Sequence, residues 1–287
     1  MLEKDFWLVS TDHLKDRLWF RDEEDFKKGM NLVAVLAATI PVDICAFILM
    51  SNHVHFVTRG NKENARRFIA LFKKHYSQLY SYKYAVSKSL LEDNGVDIQD
   101  LSLEDESFER AIAYVQMNCV AAKICLHPSG YPWGTGNSFF NSMPIKGTQT
   151  GTLSGKALKR LLHSHKPVPP EYIISDYGFI DPCSYVQVKL VESIFRTPRR
   201  MNYFLTTSSK ARKIKEAPSF SDHMLVSAIK ELSISLFRKN DFSEMSEVEK
   251  AELLRQLKFR FSCDIGQLAR VCGLKYDEVS NLLETFH

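Results

Sequence analysis

The sequence predicts an α+β fold, an antiparallel sheet with helices packed mainly on one face, followed by a mainly helical C-terminal region. Three observations predict it. Two strand-like apolar runs, residues 44–50 and 53–58, are separated only by Ser51-Asn52, the spacing of a hairpin. Apolar residues recur at helical period on either side of that hairpin. Beyond Pro170 the chain becomes increasingly helical toward its end.

In chain order, Phe6-Trp7-Leu8-Val9 reads as a short strand. The acidic run Asp22-Glu23-Glu24-Asp25 then opens a helix carrying Phe26, Met30, Val33 and Ala37 on one stripe, negative charge being favourable in a first turn. Pro41 ends that element, and the hairpin follows. Residues 65–84 are helical, with Phe68, Ile69, Phe72, Tyr76 and Leu79 on the packing stripe and Arg66, Arg67, Lys73 and Lys74 largely off it. Asp93-Asn94-Gly95 signals a turn and residues 96–101 a strand. Ser102, with Asp105 three residues on, resembles an N-terminal cap for a helix running to about Cys125. The order strand, helix, strand, strand, helix, strand, helix is that of a ferredoxin-like sheet.

Cuts before Pro144 and Pro218 give three regions, 1–143, 144–217 and 218–287. The net charge of +4 is uneven among them, because residues 144–217 carry 13 Lys and Arg against 5 Asp and Glu. A surplus of that kind suits phosphate contacts or a solvated linker face. In the last region, Ile265 to Leu274 followed by Val279 and Leu282 reads as a helix-turn-helix. There Ala269 is small enough for close helix contact and Gly273 can adopt the positive φ of the turn. An ordinary helical hairpin is the alternative.

Residues 1–20 interleave charges with apolar residues and lack the pattern of a signal peptide, and the run 44–50 is far shorter than the roughly 20 residues of a membrane span. The expectation is a cytoplasmic, nucleoid-associated protein with no membrane partner. The six cysteines form no C-x-x-C pair, so neither a zinc knuckle nor a disulfide framework is indicated.

Side chains alternate along a strand, so His53 and His55 share a face while Val54 turns away. Neutral imidazole is a good ligand for divalent metals. Tyr114 and Asn118 lie four residues apart on the expected helix and share a face, which offers a phenol nucleophile beside an amide carbonyl ligand. Taken singly, the histidines also read as structural and Tyr114 as a packing aromatic; the case rests on the combination.

These residues sit in a longer match. The stretch from Phe47 to His55, Phe-Ile-Leu-Met-Ser-Asn-His-Val-His, resembles the HUH strand of the insertion-sequence-200-like transposases. Tyr114 to Ala122, followed by Tyr131-Pro132-Trp133, is similar to the tyrosine helix and trailing motif of the REP-associated tyrosine transposase branch. Order and spacing agree over roughly residues 5–140. The resemblance implies an HUH nuclease core that binds single-stranded or hairpin DNA. It implies that His53, His55 and Asn118 hold Mg²⁺ or Mn²⁺ and that Tyr114 is the nucleophile, cleaving and transferring DNA strands through a covalent 5′-phosphotyrosine. Related enzymes build the site within one chain or between two, so a homodimer is also compatible. This chain departs from the family at Cys119, where Pro is usual, at Ala121, where a basic residue is usual, and at Ser10-Thr11-Asp12-His13, which replaces a basic, Gly-containing segment.

Arg59, Arg66, Arg67, Lys73 and Lys74 are candidates to track the DNA backbone, with Tyr76 or Tyr80 for base stacking. Tyr76, Tyr80, Tyr82 and Tyr84 are rival nucleophiles that lack an Asn four residues on within the motif. Two other readings compete. One is a non-catalytic regulator whose terminal helix-turn-helix reads duplex DNA. The other is an RNA-binding module presenting Phe6, Trp7, Phe47 and Phe56 on exposed central strands. Residues 144–217 contain no motif that converts into chemistry.

Overall fold

A strand that is apolar on both faces needs cover on both, and β2 (Asp43–Met50) is such a strand: every residue after Asp43 is buried. The computed structural model, which describes residues 5–11, 18–85, 95–211, 220–261 and 263–285, supplies that cover. Asp12, His13, Asp93 and Asn94 lie outside the described residues, as do 212–217.

The sheet is formed by β1 (Asp5–Thr11), β2, β3 (His53–Gly60) and β4 (Val96–Leu101) in the order β2-β3-β1-β4, with every neighbouring pair antiparallel. Ser51-Asn52 is the hairpin turn between β2 and β3. One face is covered by α1 (Glu23–Thr39) and α2 (Lys62–Tyr84), where Phe56 meets Phe68 and Phe72. The other is covered by α3 (Ser107–Gln116), where Phe108 packs edge-on to Phe6. Helices on both faces correct the expectation of one covered face. The signal for it was the unbroken apolar run of β2, because a half-exposed strand alternates.

Side-chain caps set where the first two helices begin: Asp22 accepts from the Asp25 N–H, and Asn61 accepts from the Asn64 N–H, so α2 opens at Lys62 rather than at residue 65. The third helix differs from expectation at both ends. Ser102 and Asp105 are used in preceding turns, Ser102 Oγ accepting from Glu104 N and Asp105 Oδ1 from Ser107 N, so α3 begins only at Ser107. It stops at Gln116 rather than Cys125. The Asn118 side chain donates to the Tyr114 and Val115 carbonyls and competes with the helical ladder there, and a single turn, α4 (Asn118–Ala121), follows.

The free edge of β2 is sealed by the Tyr131-Pro132-Trp133 segment. Leu49 N donates to Trp133 O, Thr135 N to Phe47 O and the Tyr131 hydroxyl to Leu49 O. Trp133 stacks on Phe26, tying this edge to α1. Farther along the edge Gln187 N donates to Ile44 O.

Residues from 144 onward extend this same core. Short strands β5 (Gly147–Gln149) and β6 (Ile173–Ser175) pair, α5 (Gly155–Leu162) buries Leu162, α6 (Val188–Phe195) buries Val191 and Phe195, and α7 (Pro198–Thr207) buries Met201, Phe204 and Leu205. One apolar cluster therefore runs from Phe6 to Leu205. A second, from Leu225 to Val279, joins α8 (Asp222–Phe237), α9 (Glu247–Phe261), α10 (Ile265–Cys272) and α11 (Tyr276–Thr285). Gly273 takes φ +69° between α10 and α11, and Val279 is buried. Among the described residues no helix is long and apolar enough to cross a membrane.

Candidate active site

The register places Ser10 opposite His55, and with it on the sheet face toward α3. His53 and His55 alternate onto that face together, their ring centroids 4.9 Å apart. Each Nδ1 is engaged by a neighbour: His53 Nδ1 lies 2.8 Å from Asn52 Oδ1 and His55 Nδ1 lies 2.9 Å from Ser10 Oγ. Asn52 Oδ1 can only accept, so His53 places a proton on the Nδ1 that faces it. Ser10 can accept the corresponding proton of His55. His55 is fully buried, and its Nε2 has no hydrogen-bond partner among the described residues. Burial first, then the neighbouring His53 and Lys210, hold this imidazole well below the usual histidine range, which keeps it neutral and able to ligate.

Against this pair stands Tyr114, half-buried on α3, with its ring 5.2 Å from that of His55 and nearly perpendicular to it. Phe108 and Val115 anchor α3 in the core. A further clamp fixes its outer side: Arg200 of α7 lies 2.9 Å from Glu109 and 3.2 Å from Glu106. Asn118 is buried, and its amide nitrogen is committed to the Tyr114 carbonyl at 2.8 Å. That leaves the amide oxygen as the atom it could offer a ligand. No group of three or more His, Cys, Asp or Glu among the described residues is arranged to hold a metal ion. A cation here would rely on two imidazoles and an amide carbonyl, a neutral donor set that could serve Mg²⁺ or Mn²⁺ only with phosphate oxygens completing the shell. The buried Nε2 of His55 fits such a ligand role.

The basic candidates do not gather around this site. Arg66, Arg67 and Lys74 are exposed on α2, which covers the opposite face of the sheet. Lys73, expected off the packing face, is buried on it. Arg59 shares the face of the histidines but lies at the far end of β3, 3.9 Å from Asp43 and over the Phe6 ring. Neither proposed stacking residue is available, because Tyr76 and Tyr80 are both buried. Tyr76 donates to Trp19 O, and Tyr84 donates to Asp25 Oδ2. Tyr82 is exposed, on the same distant helix. Phe6, Trp7, Phe47 and Phe56 are buried, so the exposed aromatic platform of an RNA-binding sheet is absent from these four positions.

Sequence reasoning missed three residues beside the candidate site. Ser10 and Asn52, which orient the imidazoles, lay within quoted motifs, but only strand register reveals their partners. Lys210 is the third, its Nζ 4.7 Å from the centre of the Tyr114 ring.

At the C-terminus, Gln267 and Arg270 of α10 are turned inward to Asp222, at 3.0 Å for Gln267 Nε2 and for Arg270 Nε. The following helix carries Asp277, Glu278 and Glu284 and no Lys or Arg. That charge opposes close approach to a duplex backbone.

No protein-family model matches the chain, and no curated protein matches it either. Among solved structures it is similar to a REP-associated tyrosine transposase bound to a REP hairpin, at 11% identity and a TM-score of 0.36, over 47% of this chain and 78% of the other.

Proposed function

We propose that this chain cleaves and rejoins single-stranded DNA, with Tyr114 as nucleophile and His53, His55 and Asn118 as the protein ligands of Mg²⁺ or Mn²⁺. The observation that carries the reading is the pairing of Tyr114 with His55, an imidazole oriented by Ser10, kept neutral, and buried with an Nε2 that has no partner among the described residues. A structural histidine buried so completely ordinarily satisfies both ring nitrogens.

In the reaction, the Tyr114 oxygen forms a bond to phosphorus as the bond from phosphorus to the 3′-oxygen breaks. The phenol loses its proton and the departing 3′-oxygen gains one. The product is a 5′-phosphotyrosine, and attack by another 3′-hydroxyl reverses the step to join strands without a nucleotide cofactor. The bound cation supplies Lewis-acid stabilisation and orientation of the scissile phosphate. The protein's own contribution is placement: β3 and α3 pack together, which sets the Tyr114 ring beside that of His55. Hairpin DNA is the expected substrate class, and transposition or a related strand transfer the expected outcome.

Duplex recognition through α10 and α11 is the competing, non-catalytic reading, and the acidic character of α11 weighs against it. End-labelled hairpin oligonucleotides with single-stranded flanks, incubated with Mg²⁺ or Mn²⁺, separate the two. The expected result is a covalent protein–DNA adduct in wild type that is absent from Tyr114→Phe. Binding without an adduct, across varied hairpins and both metals, would transfer the assignment to a regulator.

A further inference from the structure

The basic surplus of residues 144–217 has no motif, but the fold gives part of it a destination. α7 lies against α3, fastened by Arg200 to Glu106 and Glu109, and the chain leaving α7 carries Lys210 onto the Tyr114 ring, 4.7 Å from its centre. One cation thus faces the candidate nucleophile.

We infer that Lys210 is a catalytic residue of the proposed strand cleavage, binding a non-bridging oxygen of the scissile phosphodiester beside Tyr114. The inference rests on the function proposed above. Its physical basis is charge. The donor set of His53, His55 and Asn118 carries no charge of its own, so a divalent cation held there would keep its full positive charge toward the substrate. A phosphodiester supplies the compensating anion, and negative charge grows on its oxygens as Tyr114 attacks. An ammonium at this point is therefore bound more strongly in the transition state than in the free protein. Lysine suits the role because it is a compact charge on a flexible stem that can move from the ring face to an oxygen. The alternative is a cation–π contact that merely steadies the phenol.

Full-length Lys210→Met, which keeps the apolar stem, and Lys210→Arg, which keeps the charge, separate these roles. Adduct formation is measured at saturating hairpin oligonucleotide, and affinity across a salt series is measured in the Tyr114→Phe background. Lys210→Met is expected to slow adduct formation about a hundredfold and to reduce the slope of log affinity against log salt by about 0.7, the value for one lost single-strand phosphate contact. Lys210→Arg should retain most of both, with thermal unfolding unchanged in either variant. An adduct rate in Lys210→Met equal to wild type, or an unaltered salt slope, overturns the inference. Wild type that binds the oligonucleotide but never forms an adduct defeats the proposed function and, with it, the catalytic role of Lys210. Adduct formation at the wild-type rate in Lys210→Met defeats the Lys210 assignment alone.

Discussion

The Ser51 hydroxyl donates to the Asp222 carboxylate, so the hairpin turn that introduces His53 is fastened to the first residue of α8. Asp222 is buried and also receives Gln267 and Arg270, while the Ser51 carbonyl accepts from the Trp19 and Phe20 N–H groups. A single buried carboxylate therefore joins the second apolar cluster to the first.

Removing that carboxylate should uncouple the two clusters. In Asp222→Ala, Arg270 loses its ion partner and Ser51 and Gln267 lose an acceptor. Breaking a buried pair from one side costs about 3–5 kcal/mol, and the low end applies because the Arg270 side chain is a quarter exposed. Denaturant unfolding followed by two probes should show a lower midpoint and a separate early transition for the C-terminal helices. A single transition at the wild-type midpoint would contradict this account of the contact.

The same residue gives a pH dependence. Burial by itself would raise the Asp222 carboxyl, but the Arg270 charge and the hydrogen bonds from Arg270, Ser51 and Gln267 outweigh it and hold the group below 3.8. A folded value below the unfolded one means that the stabilisation is present above about pH 4 and is lost as pH falls through the folded value. Acid titration of stability in Asp222→Asn should accordingly be flatter than wild type below about pH 4.

Ser10→Ala tests the orientation of His55. Loss of the group that holds a ligating imidazole typically weakens metal affinity tenfold to a hundredfold. Mn²⁺ titration followed by electron paramagnetic resonance should show that weakening, with the deeper loss in His55→Ala. Wild-type affinity in Ser10→Ala would mean that the serine does not position the ring.

Gly134 of the sealing segment lies directly against β2, bridged to Ile48. A Cβ there would meet Phe47 O at 2.6 Å and Ile48 Cα at 3.1 Å, both backbone atoms that cannot yield without moving the strand. Gly134→Ala should destabilise by about 1–3 kcal/mol. Gly155→Ala, whose Cβ would meet nothing within 4 Å, serves as the control and should be neutral or slightly stabilising.

The α2 cations provide a negative prediction. Because α2 covers the face opposite the histidines, joint replacement of Arg66, Arg67 and Lys74 by Ala should leave the rate of adduct formation at saturating oligonucleotide unchanged. A collapse of that rate would place the DNA path across the α2 face.

Local patterns determined a great deal. Alternation placed His53 and His55 on one face, the Ser51-Asn52 turn set the hairpin, and capping by Asp22 and Asn61 set where two helices begin. Each of these depends on residues within a few positions of one another. The faces of the sheet, the burial of Lys73, Tyr76 and Tyr80, and the approach of Lys210 to Tyr114 were decided only by tertiary structure. The helix period marks a polar side chain as off-stripe, but whether that side meets solvent or another element depends on chain that folds back from far away. Lys210 meets Tyr114 across 96 positions of sequence because Arg200 clamps α7 to α3, and periodicity carries no record of a contact at that distance.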